Sequence, residues 1–336
     1  MEDKETTPMT NEPYIDYEDQ VCDKEHVAMF GSIVTPAFYS VVIVLSLVGN
    51  LLVLIILALY ENLKSLTNIF ILNMALSDLL FTAILPIWAM YDIWGWIFEE
   101  VTCKTVTLVF YAGFYSSMLF LTIMTIQRYI AVVHPLSDFG ASKGCCGLVS
   151  SLIIWVVSFA VATPALIFTD VQLNPHTNMW HCEYKDVWWK EMGTYQQNLF
   201  FVSAFAVMVF CYVRILGKIF KSRSQLRNRT VKLIFSNVAV FFMGWTPYNV
   251  VMFLIVMSDH PDEPYECEVS TNLDYAFYVC RLIAFSHCCL NPVCFAFLGV
   301  KFRNHLKVIL SKVFHRQSTD VSHCGTVNAH SMGSMC

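Results

Sequence analysis

The chain places one acid where an acid is costly. Asp78 stands inside the run Leu72-Asn73-Met74-Ala75-Leu76-Ser77-Asp78-Leu79-Leu80. A lone carboxylate in hydrocarbon is destabilising unless something pairs with it, so Asp78 is a functional candidate by default. Asn50, Ser117 and Asn291 fall at comparable depth in other apolar runs. With Asp78 they make either an oxygen-lined cavity for a monovalent cation or a polar knot that ties helices together. Arg128 closes another apolar run, Thr125-Ile126-Gln127-Arg128-Tyr129, where it either snorkels to the interface or has a function of its own. Trp245-Thr246-Pro247 sets a bulky ring beside a proline, and Asn291-Pro292 puts a second proline in another apolar run. A helix kinked in this way can hold two conformations close in energy, which suits a switch. His287-Cys288-Cys289 contains metal-ligand residue types. Adjacent positions on a helix point about 100° apart, which is poor geometry for a tetrahedral metal site. No nucleophile–base pair stands in motif context and no Gly-rich phosphate loop is present, so the pattern excludes the common enzyme classes.

These residues need long apolar elements to hold them. The chain of 336 residues is 56% hydrophobic and only 14% charged. Soluble domains carry roughly 25% charged residues. Seven apolar segments reach the roughly 20 residues that a bilayer crossing requires: 34–59, 67–92, 101–133, 147–168, 194–220, 230–257 and 272–298. Backbone groups in lipid must be satisfied within the segment, so each is predicted to be a helix. The fold class is an all-α membrane protein, a seven-transmembrane helix bundle. Residues 1–33 form an acidic tail, 34–298 the bundle, 299–314 a short amphipathic eighth helix on the membrane surface, and 315–336 a second tail. Pro86, Pro164, Pro247 and Pro292 read as kinks. The first 30 residues hold no apolar stretch of signal-peptide type, so the first span is expected to serve as its own insertion signal.

Charge sets the orientation. Of the 21 Lys and Arg residues, 15 fall on one side of the seven spans, which the positive-inside rule makes the cytoplasm. The N-terminus is then outside, and the outer face has a net charge of −16. Such a face steers basic ligands by long-range attraction. Of the 13 cysteines, Cys22, Cys103, Cys182 and Cys267 lie at or near the outer face. Four cysteines allow three pairings, and sequence alone does not choose between them. The sequon at Asn228 falls on the cytoplasmic side, out of reach of glycosylation.

Taken together, these residues resemble the rhodopsin-like (class A) G protein-coupled receptors over about 34–313. The markers are Gly49-Asn50, Leu76 to Leu79 with Asp78, Arg128-Tyr129, Trp155, Tyr212, Trp245-Thr246-Pro247, Asn291-Pro292 and Phe302-Arg303. Within that family the chain is similar to chemokine receptors. Ser286 to Pro292 resembles their seventh span, and Trp96 precedes Cys103 as in their first outer loop. Glu61 to Leu72, Ser222 to Phe235 and Arg281 to His287 resemble the XC group most. The resemblance implies the pairings Cys103–Cys182 and Cys22–Cys267. It implies ligand contacts at Tyr14, Asp16, Tyr17, Glu18 and Asp19 in the tail, with sulfated tyrosines, and at Tyr39, Trp88, Phe110, Tyr248 and Arg281 in a pocket.

It also implies activation and G protein coupling through Arg128, Tyr129, Tyr212, Trp245, Pro247, Asn291 and Pro292. An allosteric sodium ion at Asp78, Ser117 and Asn291 would be the sole cofactor. The implied partners are a basic chemokine, an inhibitory-class G protein, arrestin and receptor kinases, and membrane lipid, without nucleic acid. The implied location is the plasma membrane. The alternatives are a scavenging chemokine receptor that binds without coupling and another class A peptide receptor. The chain departs from the pattern at Gln127, where an acid is usual, and at Phe295, where a tyrosine is usual. It also has Ala204 for the proline of span five, and Arg281 where many of these receptors have an acid. A cation at Arg281 is expected to select a different ligand terminus.

Overall fold

The computed structural model describes residues 22, 24–63, 65–134, 143–174, 179–220, 225–258, 267–298, 302–309 and 311. The elements are α1 (Glu25–Tyr60), α2 (Leu66–Trp94), α3 (Glu100–Val133), α4 (Lys143–Phe168), β1 (Thr169–Leu173), β2 (Trp180–Tyr184), α5 (Val187–Phe220), α6 (Gln225–Ser258), α7 (Cys267–Phe285) and α8 (His287–Leu298). A helix at 302–309, α9, follows. Seven stretches are long and apolar enough to cross a membrane, α7 and α8 together supplying the last.

The helices are apolar on both faces. On α1, Tyr39, Val42, Ser46, Asn50, Val53 and Leu57 recur every three or four residues and face inward. Val41, Val44, Leu45, Val48, Leu51 and Ile55 point out and stay exposed. An apolar outer face, with Ser46 and Asn50 set among apolar residues inside, is the pattern of helices packed in lipid, where packing and interhelical hydrogen bonds drive association. The most deeply buried helix is α3, whose inward face runs from Cys103 to Thr125. Gly49 allows a close approach: a Cβ there would lie 2.8 Å from the Pro292 ring, so α1 meets α8 only because the side chain is absent.

The proline in α8 explains a polar cluster. Pro292 has no N–H, so the Cys288 carbonyl four residues back loses its helical donor. Asn50 Nδ2 donates to that carbonyl at 2.8 Å and Ser46 Oγ at 3.3 Å. Ser46 and Thr82 share a further hydroxyl contact of 2.6 Å. A second tie joins α2 to α4, where Trp155 Nε1 donates to Asn73 Oδ1 at 2.9 Å and Asn73 donates to Ser151 at 3.2 Å.

The structure differs from the sequence reading in several places, and α5 starts at Val187, not 194. α1 starts at Glu25, not 34, because the Cys22–Cys267 disulfide fixes the chain beside α7 before hydropathy becomes strong. The tail therefore ends nearer residue 24 than 33. The last span is not one kinked helix: it breaks at Ser286, whose N–H still bonds Leu282 O while Cys289 N–H turns to Ser286 O. The β1–β2 hairpin was not foreseen. It pairs antiparallel with Thr169 opposite Tyr184 and Val171 opposite Cys182. In α9, residues 302, 305, 306 and 309 are half-buried and 303, 304, 307 and 308 exposed, which is the expected amphipathic spacing.

Candidate functional site

The hairpin end of the bundle opens into a cavity of about 830 Å³. Two disulfides shape its rim. Cys103–Cys182 staples β2 to the start of α3, with Cα atoms 5.6 Å apart. Cys22–Cys267 joins the start of α1 to the start of α7, with Cα atoms 5.5 Å apart. Both are the pairings the resemblance implied. The hairpin carries its own electrostatics: the Val171 N–H, 2.9 Å from the Asp170 carboxylate, holds that carboxyl below its usual range, and Lys185 assists at 3.4 Å.

Trp88, Phe110, Tyr248 and Arg281 line this cavity as expected. Tyr39 does not. It is fully buried beside the cavity with its ring stacked on Phe285, 5.7 Å between centroids. Tyr14, Asp16, Tyr17, Glu18 and Asp19 lie outside the described residues. Arg281, the cation expected to select the ligand terminus, is paired within the bundle. Its Nη2 lies 2.5 Å from Asp92 Oδ2, and both side chains are 6% exposed or less. The guanidinium also stands over the rings of Phe277 and Tyr278, at 5.2 and 5.0 Å. Sequence reasoning counted Asp92 with the open outer charges. Its place at the last turn of a span, facing inward, is the signal that was available.

Below the cavity, Trp245 is completely buried in an aromatic cluster. Its ring lies 4.5 Å from Phe114, 5.5 Å from Tyr248, 6.3 Å from Phe110 and 5.2 Å from His287. Phe110 and Tyr248 therefore touch both the cavity and Trp245. Pro247 lies inside α6, two residues on. Asn249 Nδ2 donates back to Trp245 O at 2.8 Å while its Oδ1 accepts from Gln197, so α5 is tied to α6 one turn beyond Trp245.

Asp78 is buried one layer lower. Its Oδ2 accepts from Asn291 Nδ2 at 2.8 Å. Ser117 bonds Ser77, at 3.0 Å, and Ser77 also contacts Ser116 at 2.6 Å. Asp78 Oδ1 has no partner and faces His287 Nε2, also without a partner, at 4.0 Å. His287 Nδ1 lies 2.7 Å from Ala284 O, which can only accept, so Nδ1 carries the hydrogen. In the neutral ring Nε2 is then an acceptor facing an acceptor. His287 is a neighbour that the sequence reading considered only with its cysteines. Among the described residues, no group of three or more His, Cys, Asp and Glu gathers as a metal site.

At the opposite end, Arg128 Nη2 donates to Thr67 Oγ1 on α2 at 2.6 Å. Gln127 Oε1 and Arg128 Nε are buried without partners, so Gln127 does not restrain its neighbour. The Tyr129 hydroxyl meets His134 at 3.2 Å. The Tyr212 hydroxyl is buried near Thr125, and Phe295 has no hydroxyl to offer it.

A seven-helix bundle with an open cavity at one end, a tryptophan cluster beneath it and a half-buried arginine at the other end defines a membrane receptor. Residues 49–295 match the family model described as 7 transmembrane receptor (rhodopsin family). The chain is 43% identical to human Chemokine XC receptor 1 over 297 residues, covering 88% of this chain and 87% of that one. It is 42% identical to the mouse protein of the same name over 90% of this chain and 91% of that one. It is also 37% identical to human C-C chemokine receptor type 1 over 93% and 89%. The chain belongs to the rhodopsin family of seven-transmembrane receptors, in its chemokine receptor group. It is a multi-pass plasma-membrane receptor and not an enzyme.

Proposed function

We propose that the receptor binds an XC-type chemokine at its hairpin end, which faces the outside, and activates an inhibitory-class G protein at its Arg128 end, driving calcium release and chemotaxis. The observation that carries this reading is the continuity of the cavity with Trp245 through Phe110 and Tyr248, in a chain 43% identical to an XC receptor. The two disulfides support the orientation, since such bonds persist on the oxidising side of a membrane. The acidic tail around Tyr14, Asp16, Tyr17, Glu18 and Asp19 captures the basic ligand first, and sulfation of the tyrosines strengthens that step.

Ligand energy realised in only one state then moves Trp245 and the α6 kink at Pro247. That motion frees Arg128 and Tyr129 for the G protein. A sodium ion held by the open Asp78 oxygen, beside Asn291 and the Ser77–Ser117 pair, would neutralise the buried carboxylate and favour the resting bundle. Receptor kinases and arrestin act on the C-terminal tail, and α9 rests on lipid.

The test is G protein activation in cells against a chemokine panel that includes XC-type ligands. A pertussis-toxin-sensitive response that Arg128→Ala abolishes is expected. Uptake of chemokine without any G protein response would replace this reading with a scavenger. A well-expressed receptor that binds no chemokine would overturn it.

A further inference from the structure

α5 carries a polar run, Tyr195-Gln196-Gln197-Asn198, where its apolar stretch begins. Amides at membrane depth are costly unless paired, and they serve either as glue between helices or in function. The two glutamines are paired in different directions. Gln196 Nε2 donates to Val161 O on α4 at 2.8 Å and reaches the Tyr115 hydroxyl on α3 at 3.4 Å. Gln197 Nε2 donates to Asn249 Oδ1 on α6 at 2.8 Å, and both of these side chains are buried. Asn249 stands two residues beyond Pro247, and Trp245 two residues before it. Pro247 has no N–H, so the Met243 carbonyl loses its helical donor and α6 is weak at this turn. Asn249 Nδ2 bridges the weak turn by donating to the Trp245 carbonyl, which can only accept, and that fixes Oδ1 as the atom turned to Gln197. The amide is planar, so holding Oδ1 from α5 also aims Nδ2 at Trp245 O. The contacts on either side of this bond are aromatic: Tyr195 with Phe253 at 6.2 Å and Phe201 with Phe242 at 5.0 Å between centroids. Ring contacts persist over a spread of separations, whereas a hydrogen bond is lost within about an ångström.

From this we infer that Gln197 is a positioning residue for Trp245. Through Asn249 it holds the α6 kink in the resting arrangement, and its bond must break before α6 bends at Pro247. Gln196 anchors α5 to α3 and α4, and Gln197 passes that anchor on to α6. Plain glue between helices would be kept in both arrangements. A bond made to the amide that spans the proline cannot be, because bending there separates Asn249 from the Trp245 carbonyl and turns Oδ1 away from α5. Gln197 therefore sets how much ligand energy the receptor needs before it responds. This inference rests on the signalling reading and deepens it.

The test is ligand-free nucleotide exchange on a G protein with the full receptor in membranes at matched density, with the Tm of the detergent-purified receptor measured beside it. Gln197→Leu keeps a similar size and removes the donor. An average interhelical hydrogen bond in a membrane, about 0.6 kcal/mol, converts to about threefold in an equilibrium, so ligand-free exchange should rise about threefold. Asn249→Leu, which also loses the bridge to Trp245, should raise it at least as far. The double variant should go no further than Asn249→Leu, because the two changes break one bond. Gln196→Leu cuts α5 from α4 and leaves the α6 bond, so it should lower Tm and keep exchange within twofold of native. Native exchange in Gln197→Leu, effects of the two variants that multiply, or an equal rise in Gln196→Leu would each overturn the inference and leave the pair as a tie between helices. Amide hydrogen exchange at residues 245–249 reads the same clamp without a G protein and should quicken in Gln197→Leu. A native receptor silent to every chemokine would instead overturn the functional reading, and the amide exchange would still decide the clamp.

Discussion

Thr67 is the residue that holds Arg128, and removing its hydroxyl should release the receptor. Thr67→Val keeps the branched shape and deletes the acceptor at 2.6 Å. A hydrogen bond to a charged group contributes about 1.5–3 kcal/mol. Arg128 is half-buried, so water recovers part of this and the lower end applies. A change of about 1.4 kcal/mol is tenfold in an equilibrium. If about 1% of receptors are active at rest, within the usual range for a minor state, then about 10% become active in the variant. The bond tethers Arg128 to α2 and must break before Arg128 meets a partner, so its loss raises the resting population without touching the ligand. The assay is ligand-free nucleotide exchange on a G protein in membranes, at matched receptor density. Gln127→Asp is the converse control: an acid beside Arg128 supplies the missing ion pair and should lower basal exchange. Basal exchange that stays within twofold of native in Thr67→Val, with a full response to ligand, would refute the tether.

Asn50→Ala removes the closer of the two donors to the Cys288 carbonyl. It should cost about 0.6 kcal/mol, the average for interhelical hydrogen bonds in membranes, read as a lower Tm of the detergent-purified receptor; an unchanged Tm would mean that Ser46 or water takes over the carbonyl. Phe295→Tyr supplies the hydroxyl that is usual at this position and should raise maximal response without changing ligand affinity, read by dose–response curves at equal surface level. Asp78→Asn should abolish any effect of sodium on ligand affinity. His287→Asn, which replaces an imidazole nitrogen with an amide oxygen near the carboxylate, should steepen that effect in radioligand competition against sodium concentration.

The seven spans were legible because a membrane helix is a one-dimensional fact: length and hydropathy decide it without tertiary information. Both disulfide pairings came from resemblance alone, since spacing left three open. What escaped the sequence were contacts between side chains on different helices. Asp92 and Arg281 are 189 residues apart, and no periodicity links them. Thr67 gave no signal, being one threonine near the start of an apolar run. His287 was hidden by its neighbours, because next to Cys288 and Cys289 it suggested a metal. The structure instead turns it toward Asp78 and among the rings of Phe81, Phe241 and Trp245. The early start of α1 escaped because a disulfide, not hydropathy, ends the tail.

α8, which begins at His287, is the segment best placed to carry a signal between the two ends. It is set off from α7 by the break at Ser286 and weakened inside by Pro292. Its carbonyl at Cys288 is held by α1 through Asn50, and its Asn291 is held to α2 by Asp78. Its first residue, His287, lies 5.2 Å from the Trp245 ring, which in turn meets Phe110 and Tyr248 of the cavity. Moving α8 therefore means exchanging a few directional hydrogen bonds while its buried Cys288, Cys289 and Phe295 repack against their neighbours. Such bonds between membrane helices average about 0.6 kcal/mol each, so two or three of them set a gap that ligand binding energy at the cavity can cross. A residue set this sparse can hold two discrete arrangements, and that bistability, rather than distance or contact alone, is what lets both ends bias one equilibrium.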